Sequence, residues 1–275
     1  MADRARLAPL LVDPARTALL TDFDGTLSPI VDVPSAARPL DGAPGVLARL
    51  ARRFASVTVV SGRPVSFLWS HLGAEAGDRS APVRLVGLYG METAGPGGTP
   101  VLDPAAAAWT GTVAAVADRL RDDAPAGVLV EVTGPSVTVH YRRAPEAADW
   151  VAGRTAAEVA ASGLVAHAGR RSVELRPALE LDKGVVVRRA AEGCRAVAFF
   201  GDDLGDLPAF VELDRLASAD GTATVGVAVV DEETAPEVAA AADLTVDGPA
   251  GALAVLTWLA DAADGAEPQV GALPG

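Results

Sequence analysis

Two aspartates open the chemistry of this chain. Asp22 and Asp24 stand in the run Asp22-Phe-Asp-Gly-Thr26, directly after a short apolar stretch that begins at Thr17. In extended backbone, residues two apart leave the same face, so both carboxylates point the same way. Two further polar clusters follow apolar runs in the same manner. Ser56 to Val60 ends at Ser61-Gly62-Arg63, and Ala196 to Phe200 ends at Gly201-Asp202-Asp203, with Asp206 close behind. Each cluster alone reads first as a turn or a helix cap. Together, at the carboxyl ends of neighbouring parallel strands, they would converge on the ligand face of an open sheet. Carboxylates gathered there repel one another unless a cation sits among them. Hard oxygen ligands without His or Cys suit Mg²⁺, which binds through one or two carboxylates and a substrate phosphate.

One basic residue stands apart. The chain has 23 Lys and Arg, and only Lys183 is lysine. A compact, flexible ammonium is chemically unlike a planar guanidinium. In a sequence that otherwise uses arginine throughout, Lys183 is a candidate for a place where that difference matters.

The elements that must position these residues follow from hydrophobic spacing. Thr17–Asp22 reads as a buried strand, Pro44–Phe54 as a helix, Ser56–Val60 as a second strand, and Pro64 opens another helix. This alternation is that of a parallel sheet covered on both faces. After about Leu88 the rhythm breaks. Gly90–Pro104 reads as a Gly/Pro-rich connection, followed by a helix through Trp109 and Leu120, a hairpin around Gly134-Pro135, a helix over Glu146–Ala161 and a strand at Ser172–Arg176. The first rhythm then resumes: Asp182 caps a helix to Glu192, Ala196–Phe200 and Val225–Val230 are strands, and Glu232–Ala241 and Gly251–Ala260 are helices. The expected architecture is an α/β core, a doubly wound parallel sheet from residues 1–88 and 181–275, with an inserted α+β cap domain at 89–180.

Composition bounds the partners. Of 275 residues, 50% are hydrophobic and 21% charged, the make-up of a compact globular protein. The net charge of -13 opposes nucleic-acid backbones and anionic membranes as general partners. An anionic small substrate needs a cation at its own site. Cys194 is the single cysteine, so neither an internal disulfide nor a cysteine metal cage is available. Apolar runs fall short of the roughly 18 residues of a membrane helix. Met1–Leu11 is too short in apolar residues for a signal peptide. A monomeric, cytoplasmic protein is expected. Trp69, Trp109, Trp150 and Trp258 read as core or domain-interface residues, and Cys194 as a packed helix-end residue.

Asp22-Phe-Asp-Gly-Thr-Leu-Ser-Pro-Ile30 resembles the opening motif of the haloacid dehalogenase (HAD) superfamily of phosphatases. Ser61, Lys183 and the 201–206 cluster resemble its other three motifs in the right order, and the insert has the position and size of a C2-type cap. Within that group, Gly87-Leu-Tyr-Gly90, Val139-His-Tyr-Arg142, Val173-Glu-Leu-Arg-Pro177 and Asp182-Lys-Gly184 are similar to the trehalose-6-phosphate phosphatases, over residues 17 to 260. The resemblance implies Asp22 as nucleophile, Asp24 as general acid and base, and Ser61 and Lys183 on the transferring phosphoryl group. It implies Mg²⁺ on Asp22, the Asp24 carbonyl and Asp202, supported by Asp203 and Asp206. Gly62 and Arg63 are placed at the substrate, although Arg63 also reads as an anchor for a loop carboxylate. In the cap, Glu131, His140, Arg142 and Glu174 are placed at the sugar, with core packing the competing reading for His140. The sequence departs from the family at Gly205 and Leu207, where Thr and Glu are common, and at Thr133, where Lys is usual. The implied activity is hydrolysis of trehalose 6-phosphate. The alternatives are a phosphatase for sucrose phosphate or mannosylglycerate phosphate, a non-catalytic phosphosugar-binding domain, and a phosphomutase.

Overall fold

The computed structural model describes residues 4–31, 33–76, 83–169, 171–232 and 234–265. The chain divides into two compact units, Met1–Val101 with Leu181–Gly275, and Leu102–Glu180. The first unit opens with α1 (Arg4–Leu7), β1 (Thr17–Thr21), α2 (Ala43–Ala51), β2 (Ser56–Val60) and α3 (Val65–Ala76), then β3 (Arg84–Gly87), β4 (Glu92–Ala94) and β5 (Pro100–Leu102). The second holds α4 (Pro104–Ala107), α5 (Thr110–Asp122), β6 (Leu129–Thr133), β7 (Ser136–His140), α6 (Ala148–Ser162), β8 (Leu164–Gly169) and β9 (Ser172–Pro177). The chain returns to the first with α7 (Lys183–Ala191), β10 (Ala196–Gly201), α8 (Leu207–Asp220), β11 (Ala223–Val230), α9 (Pro236–Ala240), β12 (Leu244–Asp247) and α10 (Gly248–Ala263).

Among the described residues the large sheet has eight strands in the order β12-β11-β10-β1-β2-β3-β4-β5. From β12 to β3 every pairing is parallel, and β4 turns back antiparallel to β3. The chain winds outward from β1 to β3 on one side and from β10 to β12 on the other. The order therefore reverses between β1 and β10, and the crevice beyond their carboxyl ends is where ligands of such sheets bind. Helices cover both faces. Leu19, Val57 and Phe200 pack under α2, α3 and α10 through Leu47, Leu68 and Leu256, whereas Leu20, Val60 and Phe199 pack under α7 and α8 through Val187 and Phe210. Burial on both faces is why β1, β2 and β10 read as unbroken apolar runs.

The second unit is built differently. Its four strands, in the order β6-β7-β9-β8, are antiparallel. Val130, Val137, Val139 and Leu175 turn to a core with Val113, Leu120 and Val151 of α5 and α6. The register Glu131↔Thr138↔Glu174↔His167 puts polar side chains on the other face.

Four readings from sequence need amendment. Gly90–Pro104 is not only a connection, because β4 and β5 extend the sheet edge, where Pro100 is tolerated as the first residue of an edge strand. The sequence pattern marks no element at 207–220, which form α8, nor at β3, β8 and β12. The helix expected at 232–241 narrows to α9, with position 233 outside the described residues. No described helix is long and apolar enough to cross a membrane.

Each unit contains one buried glutamate clamped by two arginines. Glu158 on α6 takes Arg119 and Arg154. Glu212 on α8 takes a two-pronged contact from Arg188 of α7 at 2.9 Å on both oxygens, and a second from Arg215 at 2.7 Å. The Arg188 and Arg215 hydrogen bonds outweigh burial and hold the Glu212 carboxyl down to about 2. A carboxyl lowered in the folded state stabilises it above its unfolded value, and that contribution is lost as pH falls toward 2. Glu212→Gln is expected to lower unfolding free energy by about 1–2 kcal/mol at pH 7, since both arginines are half-exposed. Urea melts of the two proteins should converge as pH drops through the range from about 4.5 to 2; a difference unchanged at low pH would contradict the clamp.

Candidate active site

Asp22 follows β1 directly, its N–H donating to the Phe200 carbonyl of β10 at 2.8 Å. This bond places the first carboxylate at the reversal point of the sheet. Phe23 then turns into the core, fully buried, and Asp24 comes back to the cavity side. Gly25 follows at φ +78°, where a Cβ would be strained and would collide with the Asp202 carboxylate. Asp22, Asp24, Ser61, Gly62, Arg63, Lys183, Asp202 and Asp203 line a single cavity of about 630 Å³. All eight belong to the first unit.

Lys183 is the first residue of α7, and Asp182 caps the helix by accepting the Val185 N–H at 2.9 Å. The ammonium is buried and lies between two carboxylates, 2.7 Å from Asp22 Oδ1 and 2.5 Å from Asp206 Oδ1. Burial alone would push the lysine down, but the two carboxylates dominate and hold it charged, above its ordinary value. Burial pushes Asp22 up, and Lys183 opposes that shift. Asp206 uses its other oxygen to accept the N–H groups of Asp202 at 2.9 Å and Asp203 at 3.2 Å. Gly201 has to be glycine, since a Cβ would strike the Asp206 carboxylate. Asp203 caps the next turn through the Gly205 N–H.

Asp22, Asp202 and Asp206 each bring a carboxylate oxygen within 4.8 Å of the others, a group that could hold a metal ion. Asp206 is already committed on both oxygens, to Lys183 and to backbone. Lys183 takes one oxygen of Asp22, and the Thr26 hydroxyl takes one of Asp202 at 2.9 Å. The second oxygens of Asp22 and Asp202 are the ones left for a cation. Burial and the Asp206 charge raise Asp202 to about 7, the situation that a bound cation relieves. The all-oxygen donor set fits a hard divalent ion.

Arg63 reaches Asp24 with a two-pronged contact, 2.8 Å from Nε and 2.9 Å from Nη2, and its guanidinium sits 4.7 Å from the Phe67 ring centroid. Of its two readings from sequence, this contact is the loop-carboxylate anchor. Ser61 is buried, its N–H donating to the Val86 carbonyl and its Oγ accepting the Arg63 N–H at 3.1 Å. The residues assigned to the sugar lie in the second unit. Glu131 and Glu174 share the polar face of its sheet, and His140 on β7 lies 3.1 Å from Glu131 on that same face. His140 is therefore not a core residue. Arg142 follows β7 and is exposed.

Sequence reading missed four contributors to the first unit's cavity or its support. Thr26 orients Asp202, and its signal was its place in the quoted motif. Tyr89, at φ 58°, lines the cavity beside Gly62. Asp231 and Thr234 line it from the loop after β11, where the Asp231 N–H and carboxylate both bond the Thr234 hydroxyl at 3.0 Å. A polar pair just past a parallel strand was the signal for these two.

The trehalose-phosphatase family model matches residues 20–250. The chain belongs to the trehalose-phosphatase family. A trehalose-phosphate phosphatase of Mycolicibacterium paratuberculosis is 40% identical over 206 residues, covering 70% of this chain and 50% of that protein. The chain thus spans about half the length of the curated relatives it matches. Among solved structures, a trehalose-6-phosphate phosphatase related protein superposes with TM-score 0.70 at 19% identity, over 90% of this chain and 99% of that one. The C-terminal domain of Candida albicans trehalose-6-phosphate phosphatase gives 0.68 at 24%, over 94% and 97%. These likenesses bear on the fold alone and share the doubly wound architecture described above.

Lys183 neutralises two buried carboxylates at once, so Lys183→Met should destabilise the protein by about 3–5 kcal/mol in urea melts with chelator present. Adding Asp206→Asn to that variant should recover part of the loss. No recovery would mean that the Asp22–Asp206 repulsion is not what Lys183 relieves.

Proposed function

We propose that this chain hydrolyses trehalose 6-phosphate to trehalose and inorganic phosphate, with Mg²⁺ as its metal. The observation that carries the reading is the buried Asp22 carboxylate at the sheet's reversal point, held by Lys183 with one oxygen facing the cavity beside Asp202. A carboxylate so placed is a nucleophile for phosphorus.

In the first step an oxygen of Asp22 bonds to phosphorus and the bond from phosphorus to the sugar oxygen breaks. Asp24 delivers a proton to that leaving oxygen. In the second step water attacks the aspartyl-phosphate, Asp24 takes its proton, and the bond between phosphorus and Asp22 breaks. Both oxygens of Asp24 are engaged by Arg63, so that contact opens when Asp24 turns to the leaving group. The incoming phosphoryl oxygens give the guanidinium a replacement partner. Lys183 and the Ser61 hydroxyl place positive charge and a hydrogen bond on the phosphoryl group, the positioning and charge stabilisation on which such transfer depends. Asp22, Asp202 and the Asp24 carbonyl would hold Mg²⁺, which when bound screens charge on the transferring group. Asp203 and Asp206 support these ligands through backbone and Lys183.

The second unit serves as a cap that selects the sugar. Its polar sheet face supports this reading, because Glu131, His140 and Glu174 together offer the acceptors and donors that sugar hydroxyls need. The relatives' names support trehalose as that sugar.

The test is phosphate release from a panel of sugar phosphates with and without Mg²⁺. Selective, Mg²⁺-dependent release from trehalose 6-phosphate is expected, falling at least about a thousandfold in Asp22→Asn. Preference for another sugar phosphate would overturn the substrate, and release that survives Asp22→Asn would overturn the mechanism.

A further inference from the structure

We infer that Glu92, which does not line the catalytic cavity, is a positioning residue for the reaction: its buried carboxylate pins the loop that carries Ser61 and Arg63. The inference rests on the reading of that cavity as a phosphatase site. Glu92 opens β4 and is 4% exposed. Its Oε1 accepts the N–H of Val65, the first residue of α3, and among the described residues no cation pairs with it. A first-turn N–H has no partner within its own helix, and the helix dipole favours a carboxylate there. Burial pushes the Glu92 carboxyl up, and the Val65 N–H opposes that shift.

The contacts around this bond show what it holds. The Leu88 N–H donates to the Arg63 carbonyl and the Tyr89 N–H to the Ser61 carbonyl, both at 3.0 Å. The Tyr89 ring lies so close to Gly62 that a Cβ on Gly62 would strike it. Residues 87–92 therefore run along 61–65 and grip Ser61, Gly62, Arg63 and Val65. Ser61 also donates its N–H to the Val86 carbonyl, so both its backbone groups are set from this side while its hydroxyl hydrogen stays available. The gripping segment is strained. Leu88 and Tyr89 stand at φ 50° and 58°, a conformation that persists where the surroundings impose it. Gly87 pairs with Glu92 across β3 and β4. A Cβ on Gly87 would fall 2.7 Å from the Val65 nitrogen, 2.8 Å from the Arg63 carbonyl oxygen and 2.9 Å from Glu92 Oε1. Glycine is what lets the three meet, since its φ of −105° is open to any residue.

The test compares Glu92→Leu, which removes the acceptor, with Glu92→Gln, which keeps one, on the sugar phosphate that the native protein turns over best. A misplacement of about 1 Å costs roughly a hundredfold, so kcat should fall at least about tenfold in Glu92→Leu and be largely restored in Glu92→Gln. In a Ser61→Ala background the further loss on Glu92→Leu should be at least about threefold smaller, because both changes act through one group. Gly87→Ala crowds the same contact while keeping the carboxylate. It should lower kcat as well, and adding Glu92→Leu to it should cost little more. Amide exchange read by NMR without substrate should quicken at Leu88 and Tyr89 in both variants and stay unchanged in α8, which separates a loosened loop from a general loss of stability. Losses that multiply in full in the Ser61→Ala background, a Glu92→Gln as impaired as Glu92→Leu, or unchanged exchange at Leu88 and Tyr89 would each overturn the inference. A native protein that releases no phosphate from any sugar phosphate would overturn the phosphatase reading instead, and amide exchange would still decide whether Glu92 pins the loop.

Discussion

The arrangement of the first unit depends on one buried ammonium. Lys183 holds Asp22 and Asp206, and the three arrive from β1, from the start of α7 and from the turn after β10. Removing these charges from water is costly, and the arrangement holds only where geometry and further hydrogen bonds satisfy each one. Here they do. Asp206 spends its second oxygen on two backbone N–H groups, which fixes the loop that carries Asp202. Lys183 also begins a helix, the end at which the backbone dipole disfavours a cation. The two carboxylates outweigh that penalty, and Asp182 sets the helix start so that the ammonium reaches them.

The same interaction leaves the proposed nucleophile half-used. One oxygen of Asp22 is tied to Lys183, which orients the carboxylate and leaves the other toward the cavity. Asp24 is held differently, in a two-pronged contact with a guanidinium that stacks on Phe67. Two acidic residues two positions apart therefore live in different surroundings, one fixed in the protein interior and one on a contact that can be exchanged. That division suits one residue that attacks and another that moves protons.

Much of this was legible in the sequence because the constraints are local and chemical. Asp22, Asp24 and Asp202 stood out by following apolar strands, and Lys183 stood out as a lone lysine among arginines. The doubly wound fold was legible from strand–helix alternation. What escaped depended on contacts between distant segments. The role of Asp206 as the hub between Lys183 and the Asp202 backbone has no sequence signature beyond its place in a cluster. The edge strands β4 and β5 are three residues each and sit in a stretch broken by Gly and Pro, so they gain their strand character only by pairing with β3 and with each other. His140 sat in an alternating strand with no local clue to its face. The register with β6 decides it, by setting His140 beside Glu131 on the polar side.

The central claim is that Asp22 carries the phosphoryl group between the two steps. Acid-quenched, millisecond mixing with radiolabelled trehalose 6-phosphate, followed by peptide mapping, addresses it directly. The account predicts label on the peptide that contains Asp22, released by hydroxylamine as an acyl phosphate and absent in Asp22→Asn. Phosphate released with no phosphoenzyme at any time point, or label on another residue, would contradict it.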